Sequence, residues 1–330
     1  MADEAGWSGR KGYDVQSTLK TAVEFNGVGL HSGAAVRMVV RPAAADHGVV
    51  FLRSDLTGEA AVLPARWDAV VPSKLCTLLS NSHGTTLSTI EHITAALAGT
   101  GIHNALIEVD GPEVPILDGS SVTFVEAFIA AGIVGQGVPV RAIRILRPVE
   151  VRDGDAVARL SPSESFEMDF TIDFKDAAIG HQQKRLNLSN GAFVRELSDC
   201  RTFCRQADVD FMRANGLALG GTLENAVVVE GERVLSPGGL RHEDEPVRHK
   251  MLDALGDLSL AGGPIIGRYS GLRAGHAMTN RLLRALFATP EGEGWEWVQC
   301  GRHTQCKLPG VGVTRADVPL VHGAHELLPA

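Results

Sequence analysis

No apolar run of 18 or more residues occurs in this chain, so a membrane-spanning helix is not expected. The first residues, MADEAGWSGRKGYDVQ, also lack the charged-then-apolar layout of a secretory signal, and a cytoplasmic protein is expected. Basic charge is not in excess either. With 31 Lys and Arg against 39 Asp and Glu, the formal charge is -8, which argues against gripping nucleic acid over the whole surface. An anionic ligand must therefore meet a local basic cluster. Cysteine is scarce: Cys76, Cys200, Cys204, Cys300 and Cys306 form an odd set without the rhythm of a disulfide framework, so reduced thiols are expected. The CxxC pairs of a zinc ribbon are missing, and so is the HExxH of many zinc peptidases.

What is present fits an ordinary globular protein. The 330 residues are 44% hydrophobic and 21% charged, enough for roughly two domains at about 150 residues each. From Thr18 to Gly111, the runs AAVRMVVRP, GVVFLR, KLCTLL and HNALIEVDG carry the alternation and β-branching of strands. Between the last two, LSTIEHITAALAGTG reads as a helix with Ser88 as its N-cap, and SSVTFVEAFIAAG as a second helix. After Gly137 the order recurs. AIRILRPVEVRDGDAVARL and FEMDFTIDF read as strands, and helices follow at about 245–259 and 275–289. Strands before helices, twice over, predict an α+β protein of two domains, 14–138 and 139–300, with a loose tail from 301 to 330. The stretch 217–235 suits either a core hairpin or an apolar ligand channel.

The chemistry concentrates in three places. In VRHKMLDALGDL, His249, Asp253 and Asp257 recur every four residues, which on a helix places them on one face. An imidazole and a carboxylate at that spacing can close on one metal ion. The second place is Glu91-His92, set among apolar residues, where His92 can act as a third ligand and Glu91 as a base beside it. The bland reading is a half-buried histidine with a capping glutamate. The third is His276 at a helix start, where a nearby carboxylate such as Asp257 would be needed to keep it protonated.

These blocks, with GVGLHSG, LSTIEHITAALAGTGIHNALIEVDGPEVPILDGS, DCRTFC and AGHAMTN, make the chain resemble the UDP-3-O-acyl-N-acetylglucosamine deacetylases, zinc enzymes of lipid A biosynthesis, over roughly residues 16–300. The resemblance implies two similar domains, each a β-sheet backed by helices, with the helices packed between the two sheets. It implies zinc on His92, His249 and Asp253, although two histidines and a carboxylate suit Fe2+ as well. Glu91 would serve as the base, with Thr202 and a His276 kept charged by Asp257 around the oxyanion. Either Glu91 or His276 would protonate the leaving amine. Lys250 would meet the diphosphate. Phe203, Val209, Ala218, Ala226 and Val228, within an insert at about 203–235, would line the acyl passage. Asp173 and Phe174 would hold uracil, and His31 and Asp208 would lie near the site. HQQKRLNLSN and CRQAD depart from the family pattern and leave acyl-length and sugar preference open. The partner expected is a small molecule, an acylated UDP-glucosamine, acted on by a monomer. The C-terminal HGAHELLPA is expected to offer a protease a recognition segment.

Overall fold

The computed structural model describes residues 15–189, 191–301, 306–310 and 313–319. Among these, six α-helices occur: α1 (Glu91–Thr100), α2 (Val122–Ala131), α3 (Ala192–Glu196), α4 (Gln206–Ala214), α5 (Glu245–Ser259) and α6 (His276–Phe287). No described helix is long and apolar enough to cross a membrane.

The first half is built on a five-stranded sheet ordered Val23–Val28, Ala35–Pro42, Ala105–Val109, Val49–Arg53, Val62–Pro64. It is antiparallel except where Val49–Arg53 runs parallel to Ala105–Val109. Alternate residues of the central strands, such as Met38, Val40, Ile107 and Val109, are buried, as the period of a strand with one core face requires. The second half has a seven-stranded sheet arranged around Ile265–Leu272. That strand runs parallel to Phe166–Asp173, parallel to Arg141–Ile145 at its start, and antiparallel to Ala156–Ser161 towards its end. A two-stranded ribbon, Val15–Leu19 with Ile133–Pro139, ends where the second half begins.

The helices meet between the sheets. α1 packs on α5 and α2, and α5 packs on α6 and on the strand Phe166–Asp173. Nine of the ten residues of α1 are buried, so this helix is covered on every side. One core runs through both halves, joining Phe51, Ile93 and Ile107 to Leu252, Leu255 and Phe170. This is the two-domain α+β architecture expected, with α2, α5 and α6 close to their predicted spans.

Four details differ from expectation. Ser88 does not cap α1; it ends the strand Thr86–Ser88, and Ile90 stands at the cap without a side-chain bond. Of KLCTLL, only Leu78 and Leu79 lie in a strand, Leu78–Ser80. Cys300 and Cys306 form a disulfide, correcting the expectation of reduced thiols throughout, while Cys76, Cys200 and Cys204 are free. The segment after residue 300 is packed where it is described: Cys306, Leu308 and Val313 are buried and Arg315–Asp317 forms a 3-10 turn. The HGAHELLPA segment lies outside the described residues.

Candidate active site

Two helix starts and one helix face bring the predicted groups together. The chain enters α1 through Thr89, whose φ of 61° is a left-handed conformation that β-branched residues rarely adopt. It is held there by its hydroxyl, which donates to Glu113, and by its amide, which donates to the Thr77 carbonyl. Glu91 and His92 then occupy the first turn and point into the seam between the halves. On α5, His249, Asp253 and Asp257 share one buried face, as their four-residue spacing dictates. α1 and α5 approach closely because residue 256 is glycine: a Cβ there would meet the Glu91 carbonyl oxygen at 2.1 Å.

The geometry fits a metal ion. One donor atom from each of His92, His249 and Asp253 lies within 4.8 Å of the other two. His92 Nε2 and His249 Nε2 stand 3.6 and 3.3 Å from Asp253 Oδ1. That oxygen is buried and has no hydrogen-bond partner, an expensive state for a carboxylate unless a cation takes it up. Burial pushes His249 down to about 4 against the pull of Asp253, so its ring is neutral at pH 7. Its Nδ1 lies 2.9 Å from the Cys200 carbonyl, which can only accept; Nδ1 therefore carries the proton and Nε2 turns a lone pair to the site. The His249 lone pair, the His92 imidazole and one carboxylate oxygen make a set of three groups that can hold a metal ion.

Glu91 and His276 flank that set. Burial raises the Glu91 carboxyl above the usual range, with His276 and His92 pulling the other way. Burial also works against a charge on His276, as does its place at the start of α6. Asp257 and Glu91 outweigh this and lift the imidazole to about 9, so it is cationic at neutral pH. His276 Nδ1 is 2.9 Å from Asp257 Oδ2, while Nε2 lies 3.8 Å from Glu91 and 3.9 Å from Asp253.

A cavity of about 870 Å³ opens over these groups. Its lining includes Thr202, Phe203, Phe174, His31, Asp208, Val209, Ala218, Ala226, Val228 and Lys250 together with Glu91, His92, His249, Asp253 and His276. Phe203 packs edge-on against both His249 and Phe174. Val209, Ala226 and Val228 form a small apolar cluster of their own, so 217–235 contributes both a hairpin, Val227–Glu230 with Arg233–Val234, and a cavity wall. Both ring nitrogens of His31 are buried without a partner.

Three of the expected binding residues already have side-chain partners. Lys250 Nζ donates to Asp253 Oδ2 at 2.7 Å. Asp173 is not among the described residues lining the cavity, and its carboxylate takes a hydrogen bond from Arg273. Asp208 is held by two hydrogen bonds from Arg205. Thr77, Cys76 and Glu113 were not singled out by sequence reasoning. Glu113 accepts from the amides of His31 and Ser32 and so ties GVGLHSG to the site. Its carboxylate shows in the sequence only as part of the matched block, with nothing to reveal what it holds.

Two histidines and a carboxylate that can hold a metal ion, with a buried glutamate and a further histidine beside them at a cavity, are an arrangement suited to metal-assisted hydrolysis. The chain belongs to the UDP-3-O-acyl N-acetylglycosamine deacetylase (LpxC) family, whose model matches residues 16–288. It is 51% identical over 276 residues to the UDP-3-O-acyl-N-acetylglucosamine deacetylase of Phenylobacterium zucineum, covering 84% of this chain and 94% of that one. Proteins of the same name from Shewanella loihica and Xanthomonas axonopodis pv. citri are each 48% identical, over 86% and 88% of this chain and 92% and 95% of theirs.

Proposed function

We propose that the protein hydrolyses the acetamide of UDP-3-O-(3-hydroxyacyl)-N-acetylglucosamine to the free amine and acetate, the committed step of lipid A biosynthesis, in the cytoplasm. The observation that carries this reading is the orphaned Asp253 oxygen facing two histidine nitrogens at the floor of a large, partly apolar cavity. His92, His249 and Asp253 would hold Zn2+, and Fe2+ suits the same ligands. The ion, when bound, supplies a water acidified towards a pKa of about 7 and polarises the acetamide carbonyl.

Glu91 takes the proton from the attacking water. Its buried carboxyl is a stronger base than an exposed one, which suits that task near neutral pH. His276 presents a charged Nε2–H to the oxyanion that develops on the carbonyl, with the Thr202 hydroxyl as a second donor. Asp257 keeps that imidazole charged and fixes its rotation through Nδ1. Glu91, having gained a proton, or His276, starting with one, then protonates the leaving amine.

The acyl chain lies along Phe203, Val209, Ala218, Ala226 and Val228. His31, with two unengaged ring nitrogens, is set to hydrogen-bond the sugar or its phosphates. For Lys250 to meet the diphosphate it must share or release Asp253, and for Asp173 to meet uracil beside Phe174 it must release Arg273. The test is release of acetate from UDP-3-O-acyl-N-acetylglucosamine by the purified protein. Wild-type protein is expected to release it, and Glu91→Gln to be slower by about 100-fold or more, the scale of general acid–base catalysis. A wild type without deacetylase activity overturns the reading.

A further inference from the structure

Thr77 lies at the end of the loop that precedes the strand Leu78–Ser80, and it is 3% exposed. It comes from the first half of the chain yet touches acid–base groups of both halves. Its backbone amide donates to Glu91 Oε2 at 3.1 Å. Its hydroxyl donates to Asp257 Oδ1 at 2.5 Å, leaving Asp257 Oδ2 for His276 Nδ1 at 2.9 Å. The same hydroxyl oxygen is 3.3 Å from His276 Nδ1. Its carbonyl accepts from the amide of Thr89, the residue that aims the start of α1.

We infer that Thr77 is a positioning residue for amide hydrolysis: its hydroxyl fixes the rotation of the Asp257 carboxylate, and thereby the imidazole of His276, while its amide holds Glu91 at a set separation from them. The inference rests on the proposed roles of Glu91 and His276. A carboxylate held through one oxygen only can swing about its Cβ–Cγ bond. With Oδ1 taken by Thr77, Oδ2 is held in the direction of the ring, and the ring in turn keeps Nε2 pointed into the cavity. Buried hydrogen-bonded chains of this kind restrict each member through the next. Thr77 reaches neither the cavity nor the metal ligands with its hydroxyl, so its contribution passes through Asp257 and His276.

Thr77→Val keeps the β-branched shape and the backbone amide and removes only the hydroxyl, whereas Thr77→Ser keeps the hydroxyl and loses a methyl. Deacetylation of UDP-3-O-acyl-N-acetylglucosamine is measured for both, with KM, kcat and bound zinc determined separately. Thr77→Val is expected to lower kcat by about 10- to 100-fold, the range seen when a group that orients a site residue is removed. KM and zinc content are expected to stay near wild type, and Thr77→Ser to recover most of the rate. In the Asp257→Asn background, Thr77→Val is expected to cost little more, because the group through which it acts is already altered. Equal impairment of the Val and Ser variants, a loss confined to KM or zinc, or full additivity with Asp257→Asn overturns the inference. An active wild type with an unimpaired Thr77→Val variant removes this inference alone, whereas an inactive wild type removes the reading beneath it and the inference together.

Discussion

Gly256 of α5 sits directly against the backbone of Glu91, so close that a single added carbon would stand 2.1 Å from the Glu91 carbonyl oxygen and 3.0 Å from Thr94 Oγ1. Glycine inside a helix ordinarily costs about 1 kcal/mol relative to alanine. Here glycine permits the close approach between the helix bearing Glu91 and the helix bearing two of the proposed metal ligands. Gly256→Ala is therefore expected to destabilise the protein, since the obstacle is backbone and cannot rotate away, with overpacking costs of about 1–3 kcal/mol. Urea unfolding measures this. A variant as stable as wild type, or more so, contradicts the helix contact as described.

The roles of adjacent acidic groups separate in metal content. Asp253→Ala removes the orphaned oxygen and is expected to lower both bound zinc and turnover. Glu91→Gln leaves the three donor atoms in place and is expected to keep zinc while losing turnover. Equal loss of zinc in the two variants would reverse the assignment.

Arg201 and Glu245 form a buried ion pair, with Arg201 Nε 2.9 Å from Glu245 Oε1 and Nη2 3.1 Å from Oε2. The pair fixes the segment that carries Thr202 and Phe203 to the first turn of α5. Glu245→Ala strands a buried guanidinium, and a loss of about 3–5 kcal/mol is expected. Denaturant unfolding gives the number, and a loss below about 1 kcal/mol, typical of exposed pairs, would show that the pair is not buried in solution.

His103 gives a pH dependence remote from the proposed catalytic groups. Burial pushes it down to about 4, and its Nδ1 lies 3.2 Å from the amide nitrogen of Ser17, which fixes Nδ1 as the acceptor. The unfolded chain binds this proton near pH 6.5 and the folded chain only near 4, so unfolding takes up protons between the two. The stability that a neutral His103 contributes is thus present above about pH 6.5 and lost as pH falls towards 4. His103→Gln is expected to flatten this part of the stability profile. An identical acid limb in the variant would contradict it.

The periodicity of His249, Asp253 and Asp257 was legible because a single helix face is a local property, and α5 and α6 have the apolar spacing that marks their lengths. The joining of that face to Glu91-His92 was offered from residue types and then from the resemblance, since no local pattern reveals which helices meet. Thr77 escaped notice for the same reason: KLCTLL reads as an ordinary strand, and its partners at 91 and 257 are brought to it by the fold. Ser88 misled because a serine three residues before a glutamate imitates a capping box, whereas its backbone pairs in a strand. The Cys300–Cys306 bond was missed because odd cysteine number says nothing about one close pair. Lys250 was assigned to a phosphate from the family alone, and its bond to the Asp253 carboxylate, three residues on along the same helix, was not foreseen.

The most direct test of the account measures zinc in the purified protein together with deacetylation of UDP-3-O-acyl-N-acetylglucosamine, before chelation, after it, and after zinc is restored. The account predicts about one zinc per chain, as an open three-ligand site binds, with activity that disappears on chelation and returns with the metal. Full activity in a metal-free protein, or a protein with neither metal nor activity, would contradict it.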